Sequence, residues 1–205
     1  MIGIIDVGLG NTGSLLNMLA HLGVAAQCVS TPTGLAAAER LILPGVGAFD
    51  PGMTRLRDSG LLPALERRVR TEGVPLLGVC LGLQLLTRGS EEGSLPGLGW
   101  VPAITQRFKV ADDARLRIPH MGWNECRPTA TSSLFDLGGP ELPRFYFVHS
   151  YHAVCDSPAT VAAWTHYGGD FASAVQHGNI HAVQFHPEKS HRWGMKLLER
   201  FAALP

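Results

Sequence analysis

Hydrophobic and polar positions change rhythm along this chain near residue 90. Before it, short apolar runs alternate with amphipathic stretches. Ile2–Asp6 predicts a strand, and Ser14–Leu22, apolar at Leu15, Leu16, Leu19 and Leu22, predicts a helix ending at Gly23. Val24–Val29 predicts a second strand, so the opening reads as one β-α-β unit. Leu41–Leu43 predicts a third strand, followed by helical patterns over Asp50–Asp58 and Leu61–Thr71. The continuous run Leu76–Val79 suits a strand buried on both faces, and helical spacing resumes at Leu81, Leu85 and Leu86. This alternation predicts an α/β fold, a mostly parallel sheet covered by helices, with its site beyond the carboxyl ends of the strands.

After the turn-rich loop Ser90–Gly99 the pattern is more broken. Ile104–Val110 and Leu116–Ile118 predict strands, and Pro119–Asn124 predicts an unusual turn carrying a Trp. Thr129–Leu142, rich in Gly, Pro, Ser and Thr, reads as a surface excursion. Phe145–Val148 predicts a strand ending in His149-Ser150-Tyr151-His152. Val161–Thr165, Ala172–Gln176 and Ile180–Phe185 predict a smaller, more antiparallel section, and His191–Leu204 a closing helix. No linker or repeat divides the chain, which is expected to form a single domain over residues 1–205.

Composition narrows the classes. The formal net charge is zero and basic residues are scattered, which argues against a nucleic-acid or anionic-membrane partner. Apolar runs are too short to span a bilayer, and the N-terminus lacks the basic flank of a signal peptide. Cys28, Cys80, Cys126 and Cys155 form no Cys-x-x-Cys pair, which favours a reducing cytoplasm over a disulfide framework or a structural zinc site. Gly8 and Gly10 invite a dinucleotide reading, but the third glycine is misplaced at Gly13 and no acidic residue ends the second strand.

The chemistry centres on Gly78-Val79-Cys80-Leu81-Gly82. It is a thiol version of the nucleophile elbow, in which small flanking residues permit a sharp strand-to-helix turn. Helix N-terminal amides then favour the reactive thiolate. The bland alternative is a buried structural cysteine. His186-Pro187-Glu188 places a candidate base two residues from a candidate orienter, where a surface loop is the competing explanation. Pro44-Gly45-Val46-Gly47 follows a strand and can aim backbone N–H groups into a site, or simply end it. His149, His152, His181, His186 and His191 have irregular spacing, so no metal site is expected. No cofactor is implied.

Taken together, these residues resemble the class I (triad) glutamine amidotransferases, and more narrowly the glutaminase subunits of imidazole glycerol phosphate synthases of histidine biosynthesis. The generic match is Pro44–Gly47, Gly78–Gln84 and His186–Glu188. The narrower match is Pro119–Asn124, Tyr146–Tyr151 and Phe185–Ser190, with Ser90–Gly93 also fitting. The resemblance implies Cys80 as nucleophile, His186 as acid/base and Glu188 as its orienter. It implies oxyanion-hole N–H groups from Val46 and Leu81, and glutamine held by Gly47, Gln84, Glu92, His149, Ser150 and Tyr151. Asn11, Trp123, Asn124, Tyr146 and Lys189 would face a cyclase subunit in a heterodimer. Where the family usually has Tyr, Arg and a second Tyr, this chain has Val7, Gly13 and His152. The competing readings are the same glutaminase serving another acceptor, such as a sugar-modifying amidotransferase, a free-standing Cys-His-Glu hydrolase, and a non-catalytic module on the same fold.

Overall fold

The computed structural model describes residues 1–109, 116–130 and 132–205. Strands β1 (Ile2–Ile5), β2 (Ala26–Val29), β3 (Arg40–Gly45) and β4 (Leu76–Cys80) alternate with helices α1 (Thr12–His21), α2 (Pro32–Ala37), α3 (Phe49–Asp58) and α4 (Leu62–Glu66). The last runs into a wider turn over Arg67–Thr71, and α5 (Leu81–Leu86) follows β4 without a break. Strand β2 starts later than predicted because the Val24 amide still bonds the end of α1, at 2.9 Å from Leu19 O. The unpredicted α2 is too short to show a period. Thr31 Oγ1 caps it at 3.1 Å from Gly34 N, and Pro32 opens it.

The remaining strands are β5 (Ala103–Arg107), β6 (His120–Glu125), β7 (Arg127–Pro128), β8 (Arg144–His149), β9 (Tyr151–Cys155), β10 (Val161–His166), β11 (Asp170–His177) and β12 (Ile180–Val183), before α6 (His191–Ala202). The main sheet runs β2-β1-β3-β4-β12-β11-β10-β7, with β9 on β11 and β5 on β9. From β2 to β12 it is parallel; beyond β12 it is antiparallel. The α/β class, the parallel centre and the antiparallel section are as the pattern predicts.

Alternate strand residues serve opposite cores, because successive side chains of a strand point to opposite faces. Leu41 and Leu43 of β3 join Met53, Leu56, Leu65 and Leu85 from α3, α4 and α5. Ile42 between them joins Leu15 and Leu19 of α1 and Leu197 and Phe201 of α6. Helices on both faces are why these strands are apolar without alternation.

Several boundaries differ from the predicted ones. Pro119–Asn124 is not a turn: His120–Glu125 is a strand paired antiparallel with β8, His120 opposite His149 and Glu125 opposite Arg144. Gly122, at φ +126°, supplies the turn signal without breaking the ladder. Leu116–Ile118 is not a strand. Ile118 packs on the second core, and the Arg117 carbonyl accepts from the Tyr167 hydroxyl at 2.5 Å instead of from a neighbouring strand. The strand predicted to reach Val110 stops at Arg107, and Val110 lies outside the described residues. The described residues of Thr129–Leu142 are irregular as expected, yet Leu134, Phe135 and Leu137 are buried in the core. Among the described residues, no helix is long and apolar enough to cross a membrane.

Candidate active site

The centre of the parallel sheet ends in the elbow. Cys80 has φ +54° and ψ −108°, a conformation a non-glycine residue holds only when its surroundings impose it. Those surroundings are tight. A Cβ on Gly82 would lie 1.9 Å from Leu43 O, and one on Gly78 2.7 Å from Leu86 Cδ1. The glycines therefore let α5 cross closely over β3 and β4.

Strand register then decides which residues meet the sulfur. Gly45 of β3 stands opposite Cys80, and Val183 of β12 opposite Val79. One step further, Val46 comes beside Leu81 and Gln184 beside Cys80. Gln184 is fully buried; its Nε2 lies 3.8 Å from Cys80 Sγ, and its Oε1 accepts from Gln84 Nε2 at 3.3 Å. No local motif marks Gln184; only the register of β12 on β4 brings it level with Cys80.

His186 is fixed through its backbone. Its N–H donates to Tyr146 O at 2.9 Å and its carbonyl accepts from Ser190 Oγ at 2.6 Å. Its Nδ1 lies 2.8 Å from Glu188 Oε1, with both side chains buried. Burial alone would push His186 down; the Cys80 sulfur and the Glu188 carboxylate outweigh it and raise the imidazole to about 9. Nε2 makes no closed hydrogen bond, so the sulfur acts on it by proximity. At neutral pH the ring thus carries a proton beside Cys80.

A cavity of about 430 Å³ opens in front of this pair. Cys80 and His186 line it, as do Val46 and Leu81, and all of Gly47, Gln84, Glu92, His149, Ser150 and Tyr151. Pro119, Val148 and Lys189 complete the wall. Glu188 stands behind His186. Glu92 Oε2 accepts from Phe49 N at 2.9 Å, which ties its loop to the start of α3. Asp50 strengthens the tie by accepting from Ser94 N at 2.9 Å and Leu95 N at 3.0 Å, bonds that lower its carboxyl below the ordinary value. Asp50 is a supporting residue that its position in a helical pattern concealed.

Residues assigned to the partner divide into groups. Trp123, 41 % exposed, stacks on His191 at 5.4 Å and sits beside Tyr146, whose ring lies under Lys189 Nζ at 5.8 Å. Met121, 62 % exposed on the same face of β6 as Trp123, and Val46, 49 % exposed at the cavity mouth, are also uncovered large apolar side chains. Asn124 belongs to the other face of β6, where its Nδ2 donates to His166 O at 2.9 Å. Asn11 lies apart, capping α1 at 3.1 Å from Ser14 N and lining a narrow crevice with Gly10 and Glu188. Val7 packs half-buried on the first core, and His152 stacks on Phe108 at 4.6 Å. Among the described residues no three His, Cys, Asp or Glu side chains converge as metal ligands.

Comparison with known proteins agrees with this geometry. The family model described as glutamine amidotransferase class-I matches residues 3–203. Imidazole glycerol phosphate synthase subunit HisH 2 of Methanococcus maripaludis is 49 % identical over 201 residues, covering 98 % of each chain. The protein of the same name from Pseudomonas aeruginosa is 46 % identical over 204 residues, covering 100 % of both. A solved glutamine amidotransferase superposes with a TM-score of 0.73 at 22 % identity, over 99 % of each chain, which speaks for the fold. The chain belongs to the class-I glutamine amidotransferase family, among the HisH subunits of imidazole glycerol phosphate synthase.

Proposed function

We propose that this chain, as a single domain, hydrolyses L-glutamine to glutamate and ammonia, and that it passes the ammonia to a cyclase subunit with which it forms a heterodimer. The acceptor is the open-chain ribulosyl intermediate of histidine biosynthesis, and the products are imidazole glycerol phosphate and the aminoimidazole carboxamide ribotide. The observation that carries this reading is the single cavity that gathers Cys80, His186 and every expected glutamine-binding residue. Full-length similarity to HisH subunits favours this acceptor over a sugar-modifying one. The free thiols suit a reducing cytoplasm.

In the first half-reaction the Cys80 sulfur attacks the side-chain carboxamide carbon. The carbonyl electrons move to oxygen, where the N–H groups of Leu81 and Val46 stabilise them; losing one such donor costs on the order of a hundredfold in rate or more. His186 gives its proton to the amide nitrogen, the C–N bond breaks, and ammonia leaves a γ-glutamyl thioester. In the second half, water gives a proton to His186 as its oxygen attacks the thioester. The C–S bond breaks and glutamate departs. Glu188 holds His186 with Nε2 toward the sulfur throughout.

Hydrolysis without an acceptor would waste glutamine, so the free subunit is expected to be nearly silent. Val46 is the element to gate. Gly45 has no room for a side chain, since a Cβ there would lie 2.8 Å from Leu81 Cβ, and Gly47 stands in open space at φ +102°. The Val46 N–H belongs to the peptide between Gly45 and Val46, so the glycines on both sides of Val46 make its reorientation into the oxyanion hole a low-cost movement. Glutamate release should be measured with the chain alone, with the cyclase, and with cyclase plus its ribulosyl substrate, each beside a Cys80→Ala control. Strong stimulation requiring both additions and lost in the control is expected. High activity of the chain alone would instead indicate an independent hydrolase.

A further inference from the structure

The motif Pro119–Asn124 contains chemistry that the hydrolysis does not use. His120 is buried, with its ring between Phe147 at 4.7 Å and Tyr167 at 4.0 Å. Its Nδ1 lies 2.9 Å from His149 Nε2, and its Nε2 3.2 Å from Asn124 Nδ2. On the far side, His149 Nδ1 lies 2.8 Å from the carbonyl oxygen of Tyr151.

These contacts leave one assignment of protons. A carbonyl only accepts, so His149 Nδ1 carries the hydrogen. Burial keeps both rings neutral near pH 7, holding His120 down at about 4 and His149 well below its ordinary value. With a single ring proton, His149 Nε2 accepts, His120 Nδ1 donates, and His120 Nε2 accepts from Asn124. The orientation of Asn124 is fixed independently: its Oδ1 accepts from Glu125 N at 2.8 Å and its Nδ2 donates to His166 O at 2.9 Å.

We propose that His120 and Asn124 are positioning residues of the glutamine pocket, acting through a one-way hydrogen-bond chain from Asn124 to His120 to His149 to the Tyr151 carbonyl. The chain fixes the tautomer of His149 and the aim of the segment 149–151 that lines the cavity. The proposal rests on the reading of that segment as the glutamine site. The Tyr151 carbonyl also accepts from Gln84 Nε2 at 3.4 Å, and Gln84 continues to Gln184 beside the sulfur. At its other end the chain begins on β6, whose opposite face exposes Met121 and Trp123. It is thus a continuous physical connection from that strand to the nucleophile.

Two measurements test this. Long-range ¹H–¹⁵N spectra of the full chain at pH 7, assigned with single histidine substitutions, read the tautomers directly. Both His120 and His149 should show protonated Nδ1 and bare Nε2; an Nε2–H form or a doubly protonated ring at either position overturns the chain. This holds whatever the activity. The second measurement compares variants in glutamate release with cyclase and its ribulosyl substrate. His120→Phe keeps the ring sandwich and loses the donor; His120→Asn keeps an amide donor near Nδ1 and loses the ring. His120→Phe should raise KM for glutamine about tenfold with kcat little changed, the scale of one lost hydrogen bond, and His120→Asn should stay closer to the unaltered protein. The reverse ranking would assign His120 to packing alone and overturn the proposal. Silence of the unaltered complex would count against the glutaminase reading, while the ring spectra still judge the chain.

Discussion

Replacing Glu188 by Gln removes the charge behind His186 and leaves its shape. The native pair is buried and 2.8 Å apart, and the imidazole stands at about 9 against an ordinary 6.5. A buried hydrogen bond to a charged group is worth about 1.5–3 kcal/mol, which corresponds to roughly one to two units of the His186 pKa. In the proposed mechanism His186 must be protonated to expel ammonia, so the alkaline limb of kcat/KM for the cyclase-stimulated glutaminase should move down by that amount. The loss of rate should therefore be larger at pH 9 than at pH 7. Stability follows with a definite sign. The folded pKa is raised, so the contribution of the charged pair is complete below the unfolded value of about 6.5 and is lost as pH rises through about 9. Thermal unfolding should separate the two proteins at pH 6 and bring them together near pH 10. An alkaline limb that stays in place, with the variant folded, would refute the assignment of Glu188 as the group that sustains the imidazolium.

Four further outcomes follow from the packing around the elbow and its neighbouring loops. Gly82→Ala forces a Cβ into the Leu43 carbonyl and should prevent stable folding or lower the unfolding midpoint in denaturant sharply. Gly47→Ala meets no neighbouring atom but disfavours the left-handed backbone. It should leave the fold intact and reduce cyclase-stimulated glutamate release about tenfold or more, with little change in iodoacetamide labelling of Cys80. Gln184→Met preserves volume and removes the amide facing the sulfur, so Cys80 alkylation at pH 7, followed by peptide mass spectrometry, should slow by roughly three- to tenfold; an unchanged rate would reduce Gln184 to a spacer. Asp50→Ala frees the Ser94 and Leu95 amides and should raise KM for glutamine through the Glu92 loop, leaving kcat nearly unaltered.

The parts of this site that the sequence makes legible are those encoded by local backbone demands. An elbow needs small residues on both sides of Cys80, and each small residue meets a specific atom of β3 or α5. His186 and Glu188 are two residues apart on a turn that Pro187 begins, so their contact is almost local. The misread parts depend on pairing across long separations. Gly122 and Pro119 advertise a turn, yet Pro119 precedes the ladder and Gly122 sits within it opposite Phe147. Gln184 reaches the sulfur only because β12 pairs with β4 across a separation of 104 residues. The same non-local pairing explains what the subfamily motif does. β6 faces β8 so that His120 stands opposite His149, and Ser150 alone separates β8 from β9 in the other sheet. The cavity-lining segment 149–151 is therefore the link where the chain passes from one sheet to the other. A displacement of β6 relative to β8 would strain the hydrogen bonds that orient His149 and Tyr151. An exposed strand face and a buried pocket are coupled here by register, a property that neither motif encodes alone.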